Sequence, residues 1–315
     1  MKAMIITAFG GPEVFQASDW PKPVPQATEV LVRVHAAALN AVDYKIRKAG
    51  SWAGVKPPAI LGYDAAGVVE AVGACVKAFK PGDAVFYSPS IWVGQGSYAE
   101  YQVSDESIVA LKPKNLSFVE AAALPLAGMT AFDAMEFFQL RPGSTVLVHA
   151  AAGGVGSLAV QMAKAAGARV LVTCGAGNQD LVKALGAEVP CDYRTEDFVT
   201  AVLRETGGEG VDAVYDTVGG DILARSIGVI KPYGRAMSCV GTTGDLNGAY
   251  GRNVLLRFGF MERARHKLDV LRVMAEREQL HPVIDSVIPL SEVAQGHRRL
   301  EAGGVRGKIV LQVAD

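Results

Sequence analysis

The residues that could do chemistry begin with two stretches. In Thr145-Val146-Leu147-Val148-His149-Ala150-Ala151-Ala152-Gly153-Gly154-Val155-Gly156 a short apolar run enters a turn of small residues. Backbone carrying only small side chains can approach a pyrophosphate closely, and free N–H groups at the start of a following helix attract its negative charge. In the G-x-G-x-x-G pattern the third and sixth positions are Gly153 and Gly156, but the first is Ala151. The pattern alone is weak, and the bland reading is a glycine-rich turn that merely joins two packed elements. The second stretch is Arg169–Gln179, which includes Gly175 and Asn178. A dinucleotide-binding fold specific for NAD carries an acid there for the ribose 2′-hydroxyl. Here the first acid is Asp180. An acid would repel a 2′-phosphate, so its absence favours NADPH over NADH. Asn178 and Gln179 can donate hydrogen bonds, Lys183 lies one helical turn on, and Arg194 follows the next strand.

These stretches need a strand–turn–helix frame, and the chain supplies one. From Thr145 onward strands and helices alternate: strand 145–149, helix 157–166, strand 169–174, helix 180–185, strand 188–191, helix 196–206, strand 211–216, helix 222–230 and strand 235–240. That alternation predicts a parallel, doubly wound α/β sheet. Residues 1 to about 120 read as strand-rich, with runs at 1–9, 29–38, 62–73, 84–88, 97–103 and 108–111. Pro21, Pro23 and Pro25 exclude a central strand between the first two. Ser117-Phe118-Val119-Glu120 has the form of a capping box. Helices are expected at 127–138, 262–278 and 291–302, and a last strand at 308–313. Arg263, Arg265, His266 and Lys267 share the 262–278 segment with four acids, which reads as a solvated helix face.

Half the residues are hydrophobic and a fifth are charged, enough for a sizeable core. A net charge of −1 gives no basic field for nucleic acid or an anionic membrane. No apolar run is long enough to span a bilayer, and the N-terminus has no signal-peptide layout. Cys75, Cys174, Cys191 and Cys239 fit no disulfide framework and suit the cytoplasm. His35, His149, His266, His281 and His297 form no close ligand pair, and each is read as a surface or strand histidine.

The chain resembles the zinc-independent quinone oxidoreductases and enone (2-alkenal) reductases of the medium-chain dehydrogenase/reductase superfamily. The resemblance spans essentially the whole chain. It rests on Ala38-Leu39-Asn40-Ala41-Val42-Asp43-Tyr44-Lys45, Gly62-Tyr63-Asp64-Ala65-Ala66-Gly67-Val68-Val69, His149–Gly156, Cys191-Asp192-Tyr193-Arg194 and Val214-Tyr215-Asp216-Thr217-Val218-Gly219. It implies a GroES-like, strand-rich catalytic domain from residues 1–122 and 280–315. It also implies a Rossmann NADP(H)-binding domain from 123–279, with the active site in the cleft between the two. By position, Asn40 is expected near the nicotinamide and Thr130 beside the diphosphate or nicotinamide ribose. Gly153, Gly154, Val155 and Gly156 are expected along the diphosphate, with Gly175, Asn178 and Tyr193 at the adenosine end. Thr217 and Val218 are expected near the adenine, and Val240 and Gly241 near the nicotinamide. Lys308 falls at a late position that reaches the cofactor region. The family's basic residue after the second strand is here Asn178.

The zinc enzymes of that superfamily use Cys, His and a later Cys or acid. Here Asn40 stands at the first position and Tyr63 at the second, and no Cys lies between Cys75 and Cys174. Soft or imidazole ligands are what zinc needs, so no metal is expected. Without a Lewis acid, the easier reaction is hydride addition to an electron-poor quinone or enone. Lys45 and Tyr63 are the candidates to stabilise negative charge on the acceptor. Tyr44, Asp64 and the segment Ser90-Ile91-Trp92-Val93 are expected around the substrate. The competing readings are a zinc-free alcohol or acyl reductase of the same superfamily, and a non-catalytic NADPH-binding protein. The family also implies a homodimer.

Overall fold

A computed structural model describes residues 1–92 and 95–314. Strands β1 (Lys2–Ile6), β2 (Phe15–Asp19), β3 (Glu29–Ala38), β4 (Ala59–Ile60), β5 (Ala65–Val72), β6 (Ala84–Tyr87), β7 (Tyr101–Asp105) and β8 (Val109–Leu111) come first. Then follow β9 (Thr145–Val148), β10 (Arg169–Cys174), β11 (Val189–Asp192), β12 (Val211–Asp216), β13 (Ile230–Ser238) and β14 (Leu255–Phe258), and finally β15 (Ile284–Pro289) and β16 (Lys308–Gln312). The chain divides into two compact units, Met1–Met129 with Arg263–Asp315, and Thr130–Glu262.

The second unit is the expected doubly wound sheet. Its six strands run parallel in the order β11-β10-β9-β12-β13-β14. All four residues of β9 are buried, as a parallel strand covered on both faces requires. The strand order reverses between β9 and β12, and loops leaving the carboxyl ends of such strands make a crevice suited to a ligand. The helix after β9 is Gly154–Ala165, three residues earlier than expected, so Gly154, Val155 and Gly156 form its first turn.

The first unit holds a seven-stranded sheet in the order β15-β16-β3-β5-β6-β8, with β7 also paired to β3, and a three-stranded sheet β2-β1-β4. Ten-residue β3 is its spine: Val30, Val32 and Val34 are fully buried. Leu39, Leu61 and Ile309 pack in one apolar cluster with Ile6, Ile46 and Tyr98. Leu39 and Ile309 are neighbours in sequence of Asn40 and Lys308, and Leu61 lies three residues before Asp64.

Several expectations shift. The helix expected at 262–278 is Arg265–Glu276, and it belongs to the first unit rather than to the parallel-sheet domain. Asn115 Nδ2 donates to Ala275 O at 2.9 Å, the Lys114 N–H to Glu276 Oε1 at 3.2 Å, and Leu268 and Leu271 are buried. The two compact units meet at 129/130 and 262/263. Arg263 is not on a solvated face: it is half-buried, and its Nε donates to Ser88 O at 3.1 Å and Pro89 O at 2.7 Å. Strands β2, β4, β14 and β15 were not expected; all are short, and β14 lies at a sheet edge with only partial burial. Among the described residues no helix is long and apolar enough to cross a membrane.

Candidate active site

In the parallel-sheet unit the turn after β9 is held tightly. The Ala151 N–H bonds Thr173 O at 3.1 Å and the Gly153 N–H bonds Ala150 O at 3.0 Å. Ala150 itself adopts φ 49°, and a Cβ on Gly156 would stand 2.4 Å from its carbonyl oxygen. Only glycine at 156 lets the helix start so close to the turn. The first N–H groups of this twelve-residue helix have no intrahelical partner and lie at the positive end of its dipole.

The neighbouring loops are tied to this turn. Thr217 Oγ1 donates to His149 O at 2.7 Å. Asp216, fully buried, accepts the Val218 and Gly219 N–H groups at 2.9 Å each and the Ser238 hydroxyl at 2.8 Å. The Gly220 N–H bonds Gly241 O at 3.0 Å, so Thr217, Val218, Val240 and Gly241 come together with the β9 turn. Asp216 stood inside a recognised motif without a role assigned. Thr130 is also buried, and its carbonyl accepts the Tyr215 hydroxyl at 2.9 Å. A cavity of about 640 Å³ opens here, lined in part by His149, Thr173, Tyr193, Arg194, Val218 and Arg225. Tyr193 follows β11 beside Cys174, whose carbonyl accepts its N–H at 3.4 Å. Gly175 and Asn178 occupy the turn after β10, with the Asn178 N–H on Gly175 O at 2.8 Å; neither lines the cavity.

The charges of this cavity are unequal partners. Arg225 pairs with Asp197 at 2.7 Å, and Glu196 pairs with Arg204. Arg194 has no carboxylate partner among the described residues, and its guanidinium lies 5.7 Å over the Tyr193 ring. His149, expected at the end of a strand, directly follows β9. It is 1% exposed, with Nδ1 3.1 Å from the Thr173 hydroxyl and Nε2 3.0 Å from the Ser226 hydroxyl. Burial pushes its pKa down to about 4.

In the other unit three adjacent strands β16, β3 and β5 end in polar residues at one edge. Val310 pairs with Ala38 and Ala65 with Ala37, which sets Lys308, Asn40 and Asp64 side by side. Lys308 Nζ donates to Asn40 Oδ1 and, at 3.0 Å, to Asp64 Oδ2; Asn40 Nδ2 donates to Asp64 Oδ2 at 2.8 Å. Asp64 Oδ1 accepts the Leu126 N–H at 2.7 Å. Asp64 is fully buried, and its carboxylate bonds only Asn40, Lys308 and the Leu126 N–H. Burial pushes its carboxyl up, against the pull of the Lys308 ammonium.

Behind these lies a second buried layer. Asp43 Oδ2 accepts the Asn40 N–H at 2.8 Å and the Tyr98 hydroxyl at 2.6 Å, while Oδ1 has no partner among the described residues. Burial raises Asp43 to about 7. His297, also buried rather than on the surface, lies 3.3 Å from Tyr98 and 3.0 Å from Arg47; burial, then the Arg47 charge, lower it to about 3. Arg47 is fully buried and pairs with Glu301 at 2.5 Å.

A smaller cavity of about 230 Å³ is lined by Tyr63, Ile91 and Trp92 with Trp20, Lys56 and Gln95. Burial, then the charge of Asp43, holds the Tyr63 phenol well above its ordinary range. Trp92 meets Trp52 edge-on, ring centroids 6.0 Å apart. Val93, the last residue of that expected segment, lies outside the described residues. Lys45 and Tyr44 are not part of this lining: Lys45 is exposed on the helix Ala41–Ala49, and Tyr44 is half-buried with the Lys48 ammonium 5.3 Å from its ring.

Comparison with known proteins agrees with this architecture. Residues 26–114 match the family described as "Alcohol dehydrogenase GroES-like domain", and residues 185–311 match "Zinc-binding dehydrogenase". The chain is 38% identical to "2-methylene-furan-3-one reductase" of Solanum lycopersicum, over 99% of this chain and 79% of that protein. It is 33% identical to "Quinone oxidoreductase" of Sus scrofa, over 99% and 97%. It is 35% identical to "NADPH-dependent alkenal/one oxidoreductase, chloroplastic" of Arabidopsis thaliana, over 99% and 79%. A solved "NAD-dependent alcohol dehydrogenase" superposes with a TM-score of 0.93 at 37% identity, covering 100% of both chains. With its GroES-like unit, its Rossmann sheet and these relatives, the chain belongs to the quinone oxidoreductase and enone reductase family of the medium-chain dehydrogenase/reductase superfamily, and it is an oxidoreductase.

Proposed function

We propose that the enzyme uses NADPH, without zinc, to reduce quinones or the carbon–carbon double bond of α,β-unsaturated carbonyl compounds. The observation that carries this reading is the donor set at the strand ends. Where a zinc dehydrogenase needs thiolate and imidazole, this chain has Asn40, Tyr63 and Asp64, and the Lys308 ammonium already bonds two of them. Asn40 and Tyr63 offer an amide and a protonated phenol in place of thiolate and imidazole, and the one carboxylate, Asp64, is already paired with Lys308, a set that fits zinc poorly. Such a set suits a reaction that needs no alkoxide, and the names of the tomato, pig and Arabidopsis relatives support a quinone or enone acceptor.

NADPH, when bound, supplies the hydride. The β9 turn and the start of helix Gly154–Ala165 fit a diphosphate: the glycines admit close approach and the free N–H groups receive its charge. The cavity along Tyr193 and Val218 takes the adenosine end. The absence of an acid in 169–179, together with the unpaired Arg194, favours the 2′-phosphate, and the name of the Arabidopsis relative supports NADPH. Tyr63 keeps its proton and donates it as a hydrogen bond toward an acceptor in the 230 Å³ cavity. Lys45, exposed and without a carboxylate partner among the described residues, is the second donor available to developing negative charge. The protein is also proposed to be a cytoplasmic homodimer. Its four cysteines are free, and edge strand β14 carries exposed Leu255 and Phe258 and leads into exposed Phe260.

Product analysis tests the reading. With NADPH deuterated at the transferable position, an alkenal should yield the saturated aldehyde labelled at its β-carbon. Label at the carbonyl carbon of an alcohol product would contradict it.

A further inference from the structure

Arg263 is a half-buried cation that the fold holds without an anion. Ala65 of β5 pairs with Tyr87 of β6, so Tyr63-Asp64 and Ser88-Pro89 lie at the same end of this antiparallel pair. Ser88 Oγ donates to Tyr63 O at 2.6 Å and ties the two segments together. Arg263 Nε donates to Ser88 O at 3.1 Å and Pro89 O at 2.7 Å, which uses one of the five guanidinium N–H groups. The other four, on Nη1 and Nη2, have no partner among the described residues, and no carboxylate there lies within ion-pair distance. Burial works against the Arg263 charge, while Asp64, Tyr63 and Asp43 favour it from a distance. Asp64 is already paired with Lys308. Arg47 in the same unit shows the usual arrangement for a buried guanidinium, an ion pair with Glu301.

The cavity beside Tyr63 has the same sign. Among the described residues its lining holds Lys56 and no Asp or Glu, with Trp20, Ile91 and Trp92 as apolar walls. Ile91 and Trp92 follow closely on the Ser88 and Pro89 carbonyls that hold Arg263. Burial, then the charge of Asp43, raises the Tyr63 phenol, and the Arg263 charge acts the other way, as a cation nearby does. All of these residues belong to the first unit.

We propose that Arg263 is a specificity residue: its Nη1–Nη2 edge receives the carboxylate of an acceptor whose ketone oxygen accepts a hydrogen bond from Tyr63, so that 4-oxo-2-alkenoates are preferred over neutral enones. A planar fork with both terminal nitrogens free matches a carboxylate bidentately, which a lysine ammonium does not. The proposal rests on the enone reading above. The double bond takes a hydride from NADPH at the carbon β to the ketone and a proton from water at the α-carbon, leaving NADP⁺ and the saturated keto acid.

The test uses the full-length enzyme at saturating NADPH with two acceptors, (E)-4-oxo-2-pentenoate and (E)-3-penten-2-one. Arg263→Met should lower the ratio of kcat/KM for the keto acid to that for the ketone by about tenfold or more, mainly through KM for the keto acid, the worth of a charge-assisted pair. Arg263→Lys should recover part of the ratio, and Lys56→Met should leave it unchanged. Arg263 acting only as a brace for Ser88 and Pro89 would slow both acceptors together and leave the ratio unchanged, which overturns the proposal. A ratio that depends on Lys56 instead of Arg263 overturns it as well. Should the Arg263 variants not fold, product inhibition of the unmodified enzyme decides. 4-Oxopentanoate should compete with 3-penten-2-one at about a tenth or less of the concentration that 2-pentanone needs, and equal potency would overturn the inference. No turnover of either acceptor removes the enone reading and this inference with it. Turnover of the ketone but not of the keto acid, or an unchanged ratio in Arg263→Met, overturns this inference alone.

Discussion

Arg194 illustrates what a single side chain decides. Its neighbours Glu196 and Asp197 are both neutralised by other arginines, so its charge is available to a ligand in the 640 Å³ cavity. Arg194→Ala should raise KM for NADPH about tenfold or more, the worth of a charge-assisted hydrogen bond, and leave KM for NADH unchanged. Equal effects on both cofactors would place the 2′-phosphate elsewhere. His149 gives a pH prediction. Its folded pKa of about 4 lies below the ordinary 6.5, so the unfolded chain takes the proton first as pH falls. Stability from this residue is fully present above pH 6.5 and is lost as pH falls towards 4, by up to about 3 kcal/mol. Urea denaturation of His149→Asn should therefore show a smaller loss between pH 7 and pH 4.5 than the unmodified protein. An identical loss would mean that another group controls acid sensitivity there.

At the scale of elements, the tight start of helix Gly154–Ala165 is the feature most sensitive to change. Gly156→Val would drive a side chain into Ala150 O, so the turn must open. NADPH binding should fall by more than tenfold, and the melting temperature should drop; retention of both would show that the turn does not need its present shape. The βα alternation from Thr145 was legible because buried parallel strands read as continuous apolar runs set between turn signals. Strands β14 and β15 were not legible, because their residues are largely or partly exposed and carry no clear period. The polar edge was legible only in part. Asn40, Asp64 and Lys308 were each named, but Lys308 lies 268 residues from Asn40 and 244 from Asp64, and only the pairing of β16 with β3 brings it there. The burial of His297 was missed for a similar reason. A lone His has no local pattern, and His297 is buried by contact with Arg47 and Tyr98 from distant segments.

For the whole molecule, the exposed edge of β14 is where two copies would meet in the proposed dimer. Leu255→Asp with Phe258→Asp should turn a dimer into a monomer in sedimentation, without loss of NADPH affinity; an unchanged mass would move the interface elsewhere. The central claim is that this oxidoreductase works without zinc, with the Lys308 ammonium bonded to Asn40 and Asp64. The most direct measurement is NADPH oxidation by protein stripped with a strong chelator, with a simple benzoquinone and a short alkenal as parallel acceptors. The account predicts full turnover with at least one acceptor after stripping, and no gain when zinc is added back. Activity that disappears on chelation and returns with zinc would contradict it.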